Sequence, residues 1–193
     1  MAETQLTLDN IVQMTLQVGE NWAVAHAKRL FQLIKQIGAD LPYDAYVMQL
    51  ATYLHDWGAF PVYIQKGVEH AVRSRQVVEM EILPRLDLTA AQKEILLEAI
   101  ELHDYRDTRQ TQSNEALLLR EADMLEFLGM IGMARDFARG PRNVQIGYQR
   151  ILDRRYGIQG RFSLPRARQI AEVRLERMEQ SLQWLSEESF GIL

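Results

Sequence analysis

The spacing of apolar residues constrains this chain most, because it follows the period of an α-helix over nearly the whole length. No stretch alternates apolar and polar residues as a half-exposed strand does, and no Asn-Gly or Asp-Gly pair marks a hairpin. The sequence therefore predicts an all-α fold. The expected helices run over about 8–18, 21–37, 43–56, 68–83, 89–103, 115–138, 144–156 and 165–187.

Capping residues and glycines support several of these bounds. Asn21 is suited to begin a helix whose apolar stripe includes Trp22 and Leu30, and Gly38 is suited to end it. Thr89 and Gln92 have the spacing of a capping box. Neither a repeat nor a low-complexity tract divides the chain, so we interpret residues 1–193 as one domain.

Composition excludes several classes of function. A net charge of -4 gives no basic surface for a nucleic-acid polymer or an anionic membrane. Apolar runs are too short for a membrane span, and the first residues do not resemble a signal peptide, so we expect a cytoplasmic protein. Because the chain has no cysteine, any metal site must use His, Asp or Glu.

The chain has four histidines, and each falls in a different predicted helix or at its end: His26, His55, His70 and His103. A buried imidazole needs partners for both ring nitrogens. Taken singly, each could be a core or helix-end histidine with a hydrogen-bonded neighbour. Together with carboxylates, however, several could bind one metal ion.

Asp123 lies in the middle of an apolar helical segment, where an isolated carboxylate is costly. One explanation is a metal ion. The alternative is an ion pair with an arginine such as Arg120, or a solvent-facing position beside Glu121 and Glu126. The residues alone leave both explanations open.

The order of these residues resembles the HD-domain superfamily of metal-dependent phosphohydrolases, named for a His-Asp doublet at the end of a core helix. "AHAKRL" resembles the family's first histidine segment, "LATYLHDWG" the doublet and "READMLEFLG" the final aspartate. "EHAVRS", "AIELHDY" and "IGMARDFARG" resemble further segments of a bacterial subgroup of predicted HD hydrolases. Trp57 stands where the family usually has Ile or Leu, and Met124 where the subgroup often has Arg.

The resemblance implies an HD-type helical bundle over about 22–140, with a C-terminal helical extension over about 144–187. It implies that one divalent metal ion (Mn, Fe, Co, Ni, Zn or Mg) is bound by His26, His55, Asp56 and Asp123, with Asp56 as the catalytic residue. In related enzymes, histidines at the positions of His70 and His103 bind a second metal ion or the substrate phosphate. One or two ions per chain are therefore expected.

The implied reaction is attack of metal-bound hydroxide on a phosphate ester of a small molecule, for which nucleotides are one class of substrate. Weaker candidates for holding phosphate are basic residues near the extra histidines: Lys66, Arg73, Arg106 and Arg109. Glu69 or Asp104 could shuttle a proton. For all of these, a solvated surface charge is the simpler interpretation. The alternative function is a non-catalytic HD-fold module that binds or senses a nucleotide, and a homodimer is an open alternative to a monomer.

Overall fold

A computed structural model describes residues 5–139 and 143–192, which contain eight α-helices and no β-strand. This confirms the predicted all-α class. The helices are α1 (Leu8–Ile37), α2 (Ala45–Leu54), α3 (His70–Val77), α4 (Ala90–Glu101), α5 (Asn114–Glu126), α6 (Gly129–Ala138), α7 (Val144–Ile158) and α8 (Pro165–Glu188). No helix in the described ranges combines the length and apolar character that a membrane crossing requires.

The backbone contacts divide the chain into two compact units, residues 1–120 and 121–193. In the first unit, α2 packs against both α1 and α4, and α3 packs against α4. In the second, α6 packs against α7 and α8 around a small buried core of Met133, Ile151, Met178 and Leu182. Whether the chain behaves as one domain stays a prediction.

The two N-terminal helices expected from the sequence are present as the two arms of α1, joined at Glu20. Glu20 has φ 57° and ψ -170°, which interrupts the helix between the arms. Such a backbone conformation costs a non-glycine residue about 1–3 kcal/mol. Leu30 is fully buried as predicted, but Trp22 is 47% exposed, so its place in the inward-facing stripe was wrong. The indole instead contacts Phe60 edge to face at a centroid distance of 5.8 Å.

The single helix predicted over 115–138 is two helices. α5 ends at Glu126 and α6 begins at Gly129, which has φ +73°. A β-carbon at Gly132 would lie 2.1 Å from the carbonyl oxygen of Phe127, so the chain turns back closely on itself here. The apolar periodicity continues through this break, and for that reason the sequence pattern concealed it. The break predicted at Arg139–Asn143 falls largely on residues 140–142, outside the described ranges.

Candidate metal centre

The His-Asp doublet follows directly on helix α2. Asp44 caps the start of this helix by accepting hydrogen bonds from the backbone N–H groups of Tyr46 and Val47. The apolar side chains predicted to face inward are all fully buried: Val47, Leu50, Ala51 and Leu54. Their packing fixes the rotation of the helix about its axis, and therefore the direction in which His55, the residue directly after it, points.

A helix-end carbonyl sets the tautomer of His55. Its Nδ1 lies 2.9 Å from the carbonyl oxygen of Thr52, one of the last carbonyls of α2, which have no partner within the helix. Because a carbonyl can only accept, Nδ1 carries the proton and Nε2 presents a lone pair. His55 is 1% exposed, and its Nε2 has no hydrogen-bond partner among the described residues. A buried lone pair of this kind is suited to bind a metal ion.

His103 repeats the arrangement after helix α4. Its Nδ1 lies 2.7 Å from the carbonyl oxygen of Ile100, so this imidazole also donates from Nδ1 and directs the lone pair of Nε2 elsewhere. α4 begins at the predicted capping box of Thr89 and Gln92. The two buried rings meet edge to face at a centroid distance of 4.8 Å. Two helix ends thus bring two equivalent imidazoles together.

Asp56 lies at the centre of all four histidines. Its Oδ2 is 3.4 Å from Nε2 of His55 and 3.9 Å from Nε2 of His26. Its Oδ1 is 3.6 Å from Nε2 of both His70 and His103. The four rings come from different parts of the chain, yet each directs Nε2 towards this one carboxylate. The fold thus brings the four histidines together within the first unit, and that they bind a metal ion stays a prediction.

The histidines lower the pKa of Asp56. Burial by itself would raise the pKa of this carboxyl group, but the neighbouring imidazoles of His55 and His103 hold it well below its usual range. The group is therefore ionised at neutral pH and available to a cation.

The contact between His70 and His103 requires a proton or a cation between the two rings. Their Nε2 atoms are 3.1 Å apart. Because the Nδ1 bond of His103 leaves a lone pair on its Nε2, two bare lone pairs would face each other unless a proton or a cation lies between them.

Gly58 permits helix α3 to come this close. A β-carbon at Gly58 would lie 2.3 Å from the carbonyl oxygen of His70 and 2.5 Å from the backbone nitrogen of Ser74. The Gly58 N–H donates to Ser74 Oγ at 2.8 Å. Glycine after the doublet thus allows His70, at the start of α3, to reach Asp56.

Trp57, which departs from the family's usual residue, packs in the interior of the protein. It is fully buried, stacks on Tyr63 at a centroid distance of 5.6 Å, and donates from Nε1 to Thr15 Oγ1 at 3.1 Å. Thr15 in turn donates to the carbonyl oxygen of Tyr53. Trp57 therefore anchors the segment that follows the doublet.

Asp123 is buried on α5, as expected for a functional carboxylate, and belongs to the second unit. That it binds the same ion as the histidines stays a prediction. Lys66 is exposed in the segment before α3. Arg73 donates from Nε to the carbonyl oxygen of Tyr63 at 2.8 Å, so it fastens this segment to α3.

Arg106 and Arg109 are both bound to acidic side chains in the loop after α4. Arg106 is paired with Asp104, and Arg109 with Asp107 and Glu101. That either arginine binds substrate stays a prediction. The pairing of Asp104 with Arg106 was not foreseen, although the two residues are only two positions apart. The hydrogen bonds from Arg106 outweigh the effect of burial and lower the pKa of Asp104, which makes it a poor proton donor.

The donor set fits a divalent metal ion. His55, Asp56 and His103 each offer one ligand atom, and these atoms lie within 4.8 Å of one another. Imidazole nitrogen with carboxylate oxygen suits Zn, Fe, Mn, Co or Ni. The buried lone pair of His55 and the ionised Asp56 give the cluster an electron-rich interior that a cation would neutralise.

Comparison with protein families gives a match to the HD domain over residues 24–128. This range contains the doublet, all four histidines and Asp123. A search of curated proteins found no match.

Solved bacterial structures share the fold. A predicted HD superfamily hydrolase from an uncultured Thermotogales bacterium is 22% identical, with a TM-score of 0.66 over 94% of this chain and 90% of that one. Bacillus subtilis YpgQ, in a complex with ADP, is 22% identical with a TM-score of 0.70 over 94% and 97%. An HD-superfamily hydrolase from Bacillus thuringiensis is 18% identical with a TM-score of 0.67 over 94% and 96%.

Proposed function

Because the chain belongs to the HD domain family, we propose that it is a metal-dependent phosphohydrolase that cleaves a phosphate ester of a small molecule. The observation that carries this proposal is the position of Asp56, whose two oxygens lie 3.4–3.9 Å from Nε2 of four histidines. One carboxylate surrounded by four converging imidazoles serves no evident purpose in an apolar core. It is well suited to bind divalent cations.

In this proposal His26, His55, Asp56 and Asp123 bind the metal ion. The short distances from Asp56 to His26 and to His55 support these three residues as ligands. The buried lone pair on Nε2 is further support for His55. Support for Asp123 is its burial on α5 and its place within the matched family region. A bound divalent ion would polarise the phosphoryl group and lower the pKa of a coordinated water.

His70 and His103 would serve on the Oδ1 side of Asp56, either for a second ion or for the substrate phosphate. His70 is the more accessible of the two, with 24% of its side chain exposed against 1% for His103. A phosphate that approaches from solvent would therefore meet His70 first. Asp56 would thus contact His26 and His55 through Oδ2, and His70 and His103 through Oδ1.

A cavity of about 380 Å³ lies next to His70, and its lining includes Glu69, Asp104, Arg106 and Arg109. We propose that this cavity receives the leaving group of the substrate, which is an alcohol or a phosphate. A nucleotide is the first candidate, because structurally similar YpgQ was crystallised with ADP. The charged lining can form hydrogen bonds with a sugar or a base.

Purified protein, stripped of metal and then loaded with Mn²⁺, Co²⁺ or Zn²⁺, should release phosphate or pyrophosphate from at least one member of a panel. The panel should contain nucleoside mono-, di- and triphosphates, simple phosphomonoesters and phosphodiesters. The matched control is Asp56→Asn, which keeps the size of the side chain and removes its charge. Tight nucleotide binding without turnover by any metal form would instead support the non-catalytic sensor.

A further inference from the structure

A second cavity, of about 290 Å³, is lined by side chains of helices α1 and α2 and by no member of the histidine cluster. Helix α1 contributes apolar, aromatic, amide and basic side chains, and α2 contributes an amide and a phenol. The lining residues are Leu8, Lys28, Arg29, Phe31, Gln32, Gln49 and Tyr53. We call this space the α1–α2 cavity.

The break in α1 at Glu20 brings both arms of this helix to the α1–α2 cavity. A straight helix would place Leu8 about 30 Å from Lys28, and residues so far apart could not line one cavity of about 290 Å³. Glu20, where the two arms meet, has φ 57° and ψ -170°. Strained backbone of this kind is concentrated at functional sites such as ligand clamps. The cavity therefore depends on a conformation that the chain adopts at an energetic cost.

Several polar side chains of the α1–α2 cavity are not engaged by the rest of the described chain. Lys28 forms no ion pair with a described residue, and the hydroxyl of half-buried Tyr53 has no hydrogen-bond partner there. The same holds for the side-chain amides of Gln32 and Gln49. By contrast, the two arginines of the cavity beside His70 are both paired with carboxylates. The α1–α2 cavity thus keeps donors available for a ligand.

The charge of the α1–α2 cavity indicates which kind of ligand it fits. Lys28 and Arg29 are basic, and no Asp or Glu is among the residues that line the cavity. Lys35, on the same helix, places Nζ 5.3 Å from the centre of the Phe31 ring. Phe31 and Tyr53 add aromatic surface, which favours contact with another planar ring. A planar ring that carries a negative charge complements this lining.

We propose that the α1–α2 cavity is a binding site for a small aromatic carboxylate. The ammonium of Lys28 would pair with the carboxylate, and the rings of Phe31 and Tyr53 would contact the aromatic ring. The amides of Gln32 and Gln49 would form hydrogen bonds with polar substituents on that ring. A volume near 300 Å³ is at the lower end of the range for small-molecule sites. This site is separate from the proposed phosphohydrolase centre, and its test requires neither metal nor turnover.

The probe is para-trifluoromethyl benzoate, whose fluorine NMR signal broadens when the molecule binds to the full-length, metal-free protein. Two analogues separate the contributions: para-trifluoromethyl benzyl alcohol lacks the charge, and the corresponding cyclohexanecarboxylate lacks the aromatic ring. The benzoate should bind saturably with a Kd of about 1 mM or below. Each analogue should bind at least about threefold more weakly, because it loses one of the two contacts.

Lys28→Glu should weaken binding of the benzoate by about tenfold or more, because it replaces an attractive charge with a repulsive one. Tyr53→Phe should weaken it by about threefold, because only the hydroxyl is lost. The matched control is Lys93→Glu on α4, outside the lining of the cavity, which makes the same change in net charge. It should stay within about twofold of wild type. His70→Gln, a change in the histidine cluster, should also bind like wild type.

The inference is overturned if wild type shows no saturable binding, or if Lys28→Glu and Lys93→Glu weaken binding equally. Loss of binding in His70→Gln would place the probe at the histidine cluster and would also overturn it. Protein that binds the benzoate as expected but cleaves no phosphate ester in the substrate panel would contradict the proposed function alone, so the two failures are distinguishable.

Discussion

Two carboxylates, half-buried Asp56 in the first unit and buried Glu121 in the second, have pKa values shifted in opposite directions. Asp56 is surrounded by imidazoles, and its pKa is well below the usual range. Glu121 Oε1 accepts from the backbone N–H of Ser163 at 2.7 Å, from its hydroxyl at 2.5 Å and from the backbone N–H of Leu164 at 3.2 Å. Burial nevertheless raises the pKa of Glu121, because these bonds do not compensate the loss of solvent.

The difference shows that burial of an acidic side chain does not by itself identify a functional site. Neutral donors satisfy the oxygens of Glu121 and fasten the start of α8 to α5, which is a structural role. Groups that can be protonated or can bind a cation surround Asp56. The chemical type of the neighbours, rather than burial, separates the two carboxylates.

The largest expected effect is that of Asp56→Ala. It should reduce turnover by about a thousandfold or more, because the charge stabilisation supplied by a bound metal is worth several kcal/mol. Metal content measured by mass spectrometry should fall in parallel, while the circular dichroism spectrum stays helical. Glu121→Ala is the comparison variant, and it should retain its metal. Equal metal loss in both variants would contradict the distinction between the two carboxylates.

Arg106→Ala should weaken Mn²⁺ binding by about 10- to 100-fold, because Asp104 would lose the group that fixes it beside His70. Titration calorimetry measures the affinity. Arg109→Ala, which removes the guanidinium that is paired with Asp107, should change the Mn²⁺ affinity less than about threefold. If the two arginine variants bind Mn²⁺ equally well, the pairing of Arg106 with Asp104 has no special connection to the histidine cluster.

Glu121→Ala should lower the free energy of unfolding by about 3 kcal/mol, because the backbone N–H groups of Ser163 and of buried Leu164 lose their acceptor. Thermal unfolding should show a Tm lower by about 6–12 °C. A decrease in the free energy of unfolding of less than about 0.5 kcal/mol would mean that water replaces the carboxylate as the acceptor of these hydrogen bonds.

The raised pKa of Glu121 makes the stability of the folded protein depend on pH, with a definite sign. Since the folded state raises the pKa of Glu121 above its ordinary value of 4.5, the folded protein binds this proton more tightly than the unfolded chain. Stability from this group therefore falls as pH rises from about 4 through the raised pKa. Glu121→Gln keeps an acceptor oxygen and cannot ionise, so its stability relative to wild type should increase with pH in urea unfolding between about pH 4 and 7. A constant difference would contradict the raised pKa.

Trp57→Phe should have the smallest effect. Phenylalanine preserves an aromatic contact with Tyr63 but cannot donate to Thr15, which should cost about 1 kcal/mol of stability. Turnover should stay within about twofold of wild type, because Trp57 is buried away from the cavity beside His70. A change in the preferred substrate of this variant would show that Trp57 shapes the pocket after all.

Sequence alone determined the all-α class and most helix bounds. Apolar periodicity and capping residues are local signals, so the helix over 165–187 was predicted almost to the residue. The His-Asp doublet at a helix end was also local, because it depends on consecutive residues. The break between α5 and α6 was missed since periodicity continues across it, and Trp22 was misplaced because its exposure depends on what packs nearby.

Tertiary structure alone decided which groups surround each carboxylate. Asp56 directly follows a helix and Glu121 lies within one. Neither position tells from the local sequence that four imidazoles surround the first carboxylate and that the backbone of Ser163 contacts the second. The same applies to the pairs Asp104–Arg106 and Asp107–Arg109, which have the same spacing in the sequence. Of these two carboxylates, it is Asp104 that lies at an ion-pair distance from His70. Hydrogen-bond partners distant in sequence are fixed by how helices pack, and single-chain periodicity carries no information about them.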